Sequence, residues 1–184
     1  METRHLLTVF LSIATAVAVA DGDYASAQKK FDQIEAGTLR AGSRVVFSAQ
    51  ELTSWSAQEV PTGVRNPKVE LGTGTATGSA LIDFGKLRRG QGHPPGWLMS
   101  KLLDGERPVR VTVRIRSSNG KATVDVERVE ISGVQIDGQT LNFMIQNFLL
   151  ALYPDAIVGQ PFEIGSRVDR IEVTPAVATV VIGK

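Results

Sequence analysis

The chain predicts an α+β fold built mainly from antiparallel strands. From Pro108 to Ile131 apolar and polar residues alternate, with Val109, Val111, Val113 and Ile115 interleaved with Arg110, Thr112, Arg114 and Arg116. That is the period-2 pattern of a half-buried strand. Asn119-Gly120 interrupts the run and supplies the two positive φ angles of a type I′ hairpin turn. Gly138 to Pro154, by contrast, carries no charge and repeats with helical period. At about 100° per residue, Leu141, Met144, Ile145, Phe148, Leu149 and Leu152 fall on one broad stripe.

The elements follow in order. Ala25 to Ala36 can form a short helix ended by Gly37, and the charged, mixed pattern after it reads as a lead-in over residues 21–43 rather than core. Arg44 to Phe47 is a short strand leading to Ser48, where Ser-Ala-Gln-Glu forms a capping box with Glu51. A helix from Ala49 to Glu59 follows and stops before Pro61 and Gly63. Val64 to Gly72 and Thr75 to Phe84 read as two strands around a Gly-Thr-Gly turn. Lys86 to Pro95 is a loop, and Trp97 to Leu103 reads as one or two helical turns. Asp137 or Gly138 opens the apolar helix and Tyr153-Pro154 closes it. Arg167 to Thr174 and Val177 to Ile182 make a closing strand pair turning at Pro175.

The Asn119-Gly120 turn fixes the hairpin register. Counting outward, Ile115 faces Val124, Arg114 faces Asp125 and Val113 faces Val126. Beyond this the apolar parity of the second strand switches to Val129 and Ile131, which calls for a bulge at Glu127 and Arg128. With the bulge in place Val111 meets Val129, Arg110 meets Glu130 and Val109 meets Ile131.

Met1 to Ala20 has the pattern of a secretory signal peptide: Arg4 and His5, then an apolar run from Leu6 ending in Ala18-Val19-Ala20. Ala25-Ser26-Ala27 is a second candidate cleavage site. The run is short for a membrane span, which takes roughly 18 or more apolar residues. The expected product is a periplasmic or secreted protein, with a single α+β domain over residues 44–184. The chain has no cysteine, so neither disulfides nor a lipoprotein anchor are available. A net charge of +1 argues against a general polyanion binder.

No catalytic constellation emerges. His93 is the sole histidine beyond the signal region, and no Gly-x-Ser-x-Gly elbow accompanies it. One histidine and no cysteine leave scattered carboxylates, a poor metal set. Gly72-Thr-Gly74-Thr-Ala-Thr-Gly78 precedes a strand rather than a helix, so it lacks the dipole that holds phosphate. In the arginine row at Arg110, Arg114 and Arg116, with Arg107 beside it, Arg114 and Arg110 face the carboxylates of Asp125 and Glu130 across the hairpin, and no aromatic rings are interleaved, so nucleic acid is not expected. The reading is therefore non-enzymatic, without cofactor or metal. Lys86, Arg88 and Arg89 followed by Trp97 suit transient contact with an anionic membrane surface.

The apolar helix has a second face, Phe143 and Leu150, opposite the main stripe. Burying each is worth about 1.5 to 3 kcal/mol. Another protein layer, a partner chain or an apolar molecule must cover them. Protein cover is available from the helix at Ala49 to Glu59 or the turn at Trp97 to Leu103.

A resemblance adds to this reading. Phe47-Ser-Ala-Gln-Glu-Leu, Val124-Asp-Val-Glu-Arg-Val-Glu-Ile-Ser-Gly-Val, the helix Leu141 to Tyr153, Arg170-Ile-Glu-Val-Thr-Pro and Ala178-Thr-Val-Val-Ile resemble, in their order, one unit of the tubular lipid-binding superfamily that includes bactericidal/permeability-increasing protein. Together they span most of Arg44 to Lys184. The resemblance implies a curved antiparallel meander wrapped around one long apolar helix, with a shorter N-terminal helix and acyl chains between helix and sheet. It implies lipid-facing roles for Leu141, Met144, Ile145, Phe148, Leu149 and Leu152 on the helix. On the sheet it implies the same for Val109, Val111, Val113, Ile115, Val124 and Val126. The chain holds one unit where larger members hold two, so a second copy could close a half-tube as a homodimer. The function implied is binding or shuttling of an apolar ligand, lipid by class, in the cell envelope. The alternative is a structural or protein-interaction module with a dry core.

Overall fold

The computed structural model describes residues 21–87, 101, 103–150 and 156–184. The proposed signal segment, His93, Arg88, Arg89, Trp97, Leu152 and the Tyr153-Pro154 helix stop lie outside the described residues.

Helix α1 spans Asp21–Glu35. Strand β1, Arg44–Ser48, runs directly into α2, Ala49–Glu59. The Glu51 amide donates to the Ser48 hydroxyl at 3.0 Å and the Ser48 amide donates to the Glu51 carboxylate at 2.8 Å, the reciprocal arrangement of a capping box. Then come β2 (Val64–Leu71), β3 (Thr75–Asp83), a short α3 (Phe84–Leu87), β4 (Glu106–Ser118), β5 (Lys121–Ile131) and β6 (Val134–Ile136). Helix α4, Gly138–Met144, passes into a π-helical turn over Ile145–Leu149. The chain closes with β7 (Phe162–Glu163), β8 (Val168–Val173) and β9 (Val177–Ile182).

The strands form two sheets. One is three-stranded in the order β1-β9-β8; the other is six-stranded, β2-β3-β4-β5-β6 with β7 added on β5. All pairings are antiparallel. The central hairpin has the register read from its turn, with Arg114 opposite Asp125, Val113 opposite Val126, and the shift between Thr112 and Val113 leaving Glu127 as the extra residue. Asn119 and Gly120 both have positive φ, 50° and 76°, as a type I′ turn requires.

Two features of the expected architecture are overturned. The strands do not make one meander, because the closing pair joins β1 in its own sheet, and that partner choice spans the length of the domain. Among the described residues no long apolar helix is wrapped by a sheet. The described part of that segment is a 7-residue α-helix followed by a 5-residue π-turn.

The π-turn has a local cause. The Asn147 side-chain amide donates to the Phe143 carbonyl at 2.9 Å, satisfying an acceptor of the helical ladder from a side chain and so permitting the wider turn. Widening also moves Phe143 off its expected far face. In an i→i+5 turn, residues five apart come together, and the Phe143 and Phe148 rings meet edge-on at 6.3 Å.

Two apolar clusters result. The first gathers Phe84, Leu87, Val109, Ile131, Met144 and Phe148 between α4 and the six-stranded sheet, with Phe143 packed against it. The second gathers Ile34, Val45, Phe47, Ala122, Val168 and Ile182 around the three-stranded sheet. Ile34 shows that α1 belongs to the core, where the sequence suggested a lead-in.

The arginine row is laced with carboxylates, on partners different from those read off the register. Arg114 pairs with Glu127, Arg110 with Glu70, and Arg116 with Asp125 at 2.5 Å, while Glu130 accepts from Arg128 at 3.2 Å. The Cα partners stand as read; Arg114 and Arg116 reach the diagonal neighbour, Arg110 reaches past β3 to Glu70 on β2, and Arg128 and Glu130 are two apart on β5.

Candidate apolar ligand site

A cavity of about 270 Å³ lies between the six-stranded sheet and the α4 segment. Leu141, Met144, Ile145, Phe148 and Leu149 line it from the helical side. Val109, Val111 and Val126 line it from β4 and β5. The period-2 alternation of the hairpin points these valines inward, and the helix that opens after Asp137 lies over them. Every described residue of its lining is apolar, including Val60, Pro61, Val64 and Ile82 at the end of α2, β2 and β3.

The remaining sequence-selected residues fall elsewhere. Val113, Ile115 and Val124 are half-buried and do not line this cavity. By register they occupy the strip between Val111 and Ala122, and so lie between the two clusters. Phe143 joins the first cluster and Leu150 is half-buried, so the second apolar face of the helix is partly covered by protein. Lys86 is ion-paired with Asp83 at 3.1 Å. The Phe84 and Phe148 rings, T-shaped at 5.1 Å, stand at the junction of α3 and the π-turn.

A second cavity, about 410 Å³, lies away from the first and shares no described residue with it. Phe31 and Ile34 of α1, Leu52 and Trp55 of α2, and Ile171 and Val180 of β8 and β9 are among its lining. Sequence reading missed it. The signal was present in Ala27, Phe31 and Ile34, spaced by four and three residues as one helical stripe, but charged neighbours obscured it.

Above this second cavity sits the most perturbed carboxyl group among the described residues. Glu51 is 8% exposed. Burial by itself would raise its pKa, but hydrogen bonds from Lys30, Ser26 and the Ser48 amide, with the charge of Lys30, outweigh that and hold it at about 2. Ser26 donates to the carboxylate at 2.5 Å, and Lys30 is ion-paired with it. The group makes an ionic contact between α1 and α2. On the outer faces, hydrogen bonds from Arg65, and from Arg44 and Arg170, hold Glu106 and Glu172 below the usual carboxylate range.

No protein-family model matches this chain, and no curated protein sequence matches it either.

Proposed function

We propose that this protein is exported to the cell envelope, where it binds or carries an apolar ligand, lipid by class. The observation that carries this reading is the wholly apolar cavity between the six-stranded sheet and the α4 segment. Protein interiors are close-packed, with few voids larger than a water molecule. A space near the lower end of ligand-pocket sizes, roughly 300 Å³, lined by apolar side chains, suits hydrocarbon. Eight residues singled out from the sequence converge on it. The signal-like segment Met1 to Ala20 supports export.

The partial cover of Phe143 by its own core favours the alternative, a structural or interaction module with a dry interior. Native mass spectrometry, with organic extraction of the protein purified from its own envelope fraction, separates the two. A co-purifying lipid is the expected result. Repeated preparations without any extractable lipid would leave the module.

A further inference from the structure

We infer that the 410 Å³ cavity beneath α1 is a second binding site, one that takes a single hydrocarbon chain tail-first and is roofed by α1. It extends the apolar-ligand reading to a separate part of the molecule. Ser56 is the one polar residue among the described lining, and its hydroxyl is already committed to the Thr53 carbonyl at 2.9 Å. An anionic headgroup buried there would find no uncommitted side-chain donor among the described lining, since the Ser56 proton goes to Thr53 and the Trp55 indole proton to Gln28, and an unpaired buried charge is costly. The buried portion of the ligand is therefore hydrocarbon, with any polar end left at the mouth.

The size sets a further limit. An apolar void of about 150 Å³ suffices for one benzene ring, so this cavity accommodates a chain. Left empty, its walls would forgo the dispersion contacts that a filled interior provides.

The roof is held differently at its two ends. Near its N-terminal half, α1 is fastened to α2 by Ser26 and Lys30 on Glu51, and by the Trp55 indole donating to Gln28 at 3.3 Å. At its C-terminal end the chain turns through Gly37, with φ of 63°, whose carbonyl accepts from Arg167 at 3.2 Å. Between these ends the Phe31 ring lies 4.7 Å from that of Phe47 and 4.6 Å from that of Trp55, which places an aromatic layer against the ligand volume.

Trp55 lines the cavity and so reports on it directly. In a W97F background Trp55 is the one tryptophan left, the chain having two. Titration with stearic acid carrying a nitroxide on its chain should quench Trp55 saturably, while equilibrium dialysis with radiolabelled stearate measures total binding. Ile171→Phe, which fills the cavity from β8, should raise the quenching midpoint at least tenfold. Ser56→Phe tests the same point from α2 should the first variant fold poorly, as a melting curve would show. Stearate bound by dialysis with Trp55 unquenched would overturn the second site and leave the proposed function standing. An unchanged midpoint in the folded variants would also overturn it, and no stearate bound at all would overturn both.

Discussion

Ser117 on β4 holds both backbone groups of Ile171 on β8: its hydroxyl donates to the Ile171 carbonyl at 2.8 Å and accepts from the Ile171 amide at 2.7 Å. A side chain here stands in for a neighbouring strand, closing the outer edge of the three-stranded sheet against the six-stranded one. Beside it the Gly74 amide donates to the Val173 carbonyl at 2.9 Å and the Gly120 amide to the Asp169 carbonyl at 2.8 Å, so the seam between the sheets is stitched by polar contacts along β8.

Ser117→Ala should therefore lower unfolding stability by about 1 to 3 kcal/mol, because it leaves a part-buried donor and acceptor unpaired. Urea unfolding measures this. Ser117→Thr keeps the hydroxyl and should recover most of the loss; equal losses in the two variants would show that the hydroxyl is not what matters.

How much was legible depended on whether the signal was local. The Asn119-Gly120 turn fixes two φ angles and the strand register with them, so pairings out to Val109 and Ile131 followed by counting, bulge included. The Ser48 and Glu51 capping box is equally self-contained. The pairing of Arg44 with Val181 has no local signature, since the alternation of β1 and β9 fits several partners; this is why two sheets were read as one meander. The π-turn was hidden because Ile145-Gln-Asn-Phe-Leu149 contains neither proline nor glycine, and a uniform 100° projection set Phe143 on the wrong side. The first cavity was visible as an apolar stripe over an alternating hairpin. The second was not, because its walls come from five separate stretches of chain.

The central hairpin offers a direct test of register. One residue inserted between Asn119 and Gly120 moves Val113 and Ile115 to the solvent face if the outer pairing slips by one. It also displaces Gly120 from its contacts, where its amide donates to the Asp169 carbonyl at 2.8 Å and its carbonyl accepts from Ile164 at 2.9 Å. A fall in melting temperature of about 10 °C or more is expected, several kcal/mol in a domain this size. A melting curve unchanged by the insertion would remove the turn as the source of register.

Acid should release the α1–α2 contact. Glu51 titrates at about 2 in the folded protein against an ordinary 4.5, so folding favours the carboxylate. Its contribution is complete above about pH 4.5 and is lost as pH falls toward 2, and it amounts to on the order of 2 to 3 kcal/mol after allowance for the partly exposed Lys30. Lys30 is the charged group facing it from α1. Glu51→Gln should be less stable than wild type at pH 7, and the difference should shrink through this window as both are acidified. Parallel stability curves for the two proteins would exclude the assignment.

Cleavage on export should follow Ala20 rather than Ala27. Removal through Ala27 would cut α1, taking Ser26 from Glu51 and Ala27 from a position with no solvent exposure. The intact mass of the mature protein decides between the two. A chain beginning at Gln28 would show that the helix is dispensable, and one retaining Met1 in the cytoplasm would overturn export.

Leu149→Trp separates a ligand cavity from a dry core. Leu149 lines the first cavity together with Met144 and Phe148, and a tryptophan there has two possible fates. Where lipid fills the space, the ring occupies ligand volume, extractable lipid falls and the melting temperature changes little. In a close-packed interior the same ring must displace protein, at typically about 1 to 3 kcal/mol of overpacking, with no lipid to lose. Organic extraction beside a melting curve reads both quantities on one preparation. Because a cavity lies between α4 and the sheet beside the packed contacts of Met144 and Phe148, the expected result is lost lipid with the fold retained. Lost stability in the variant, with no lipid in the wild type, would identify the space as a packing fault and the protein as a structural module.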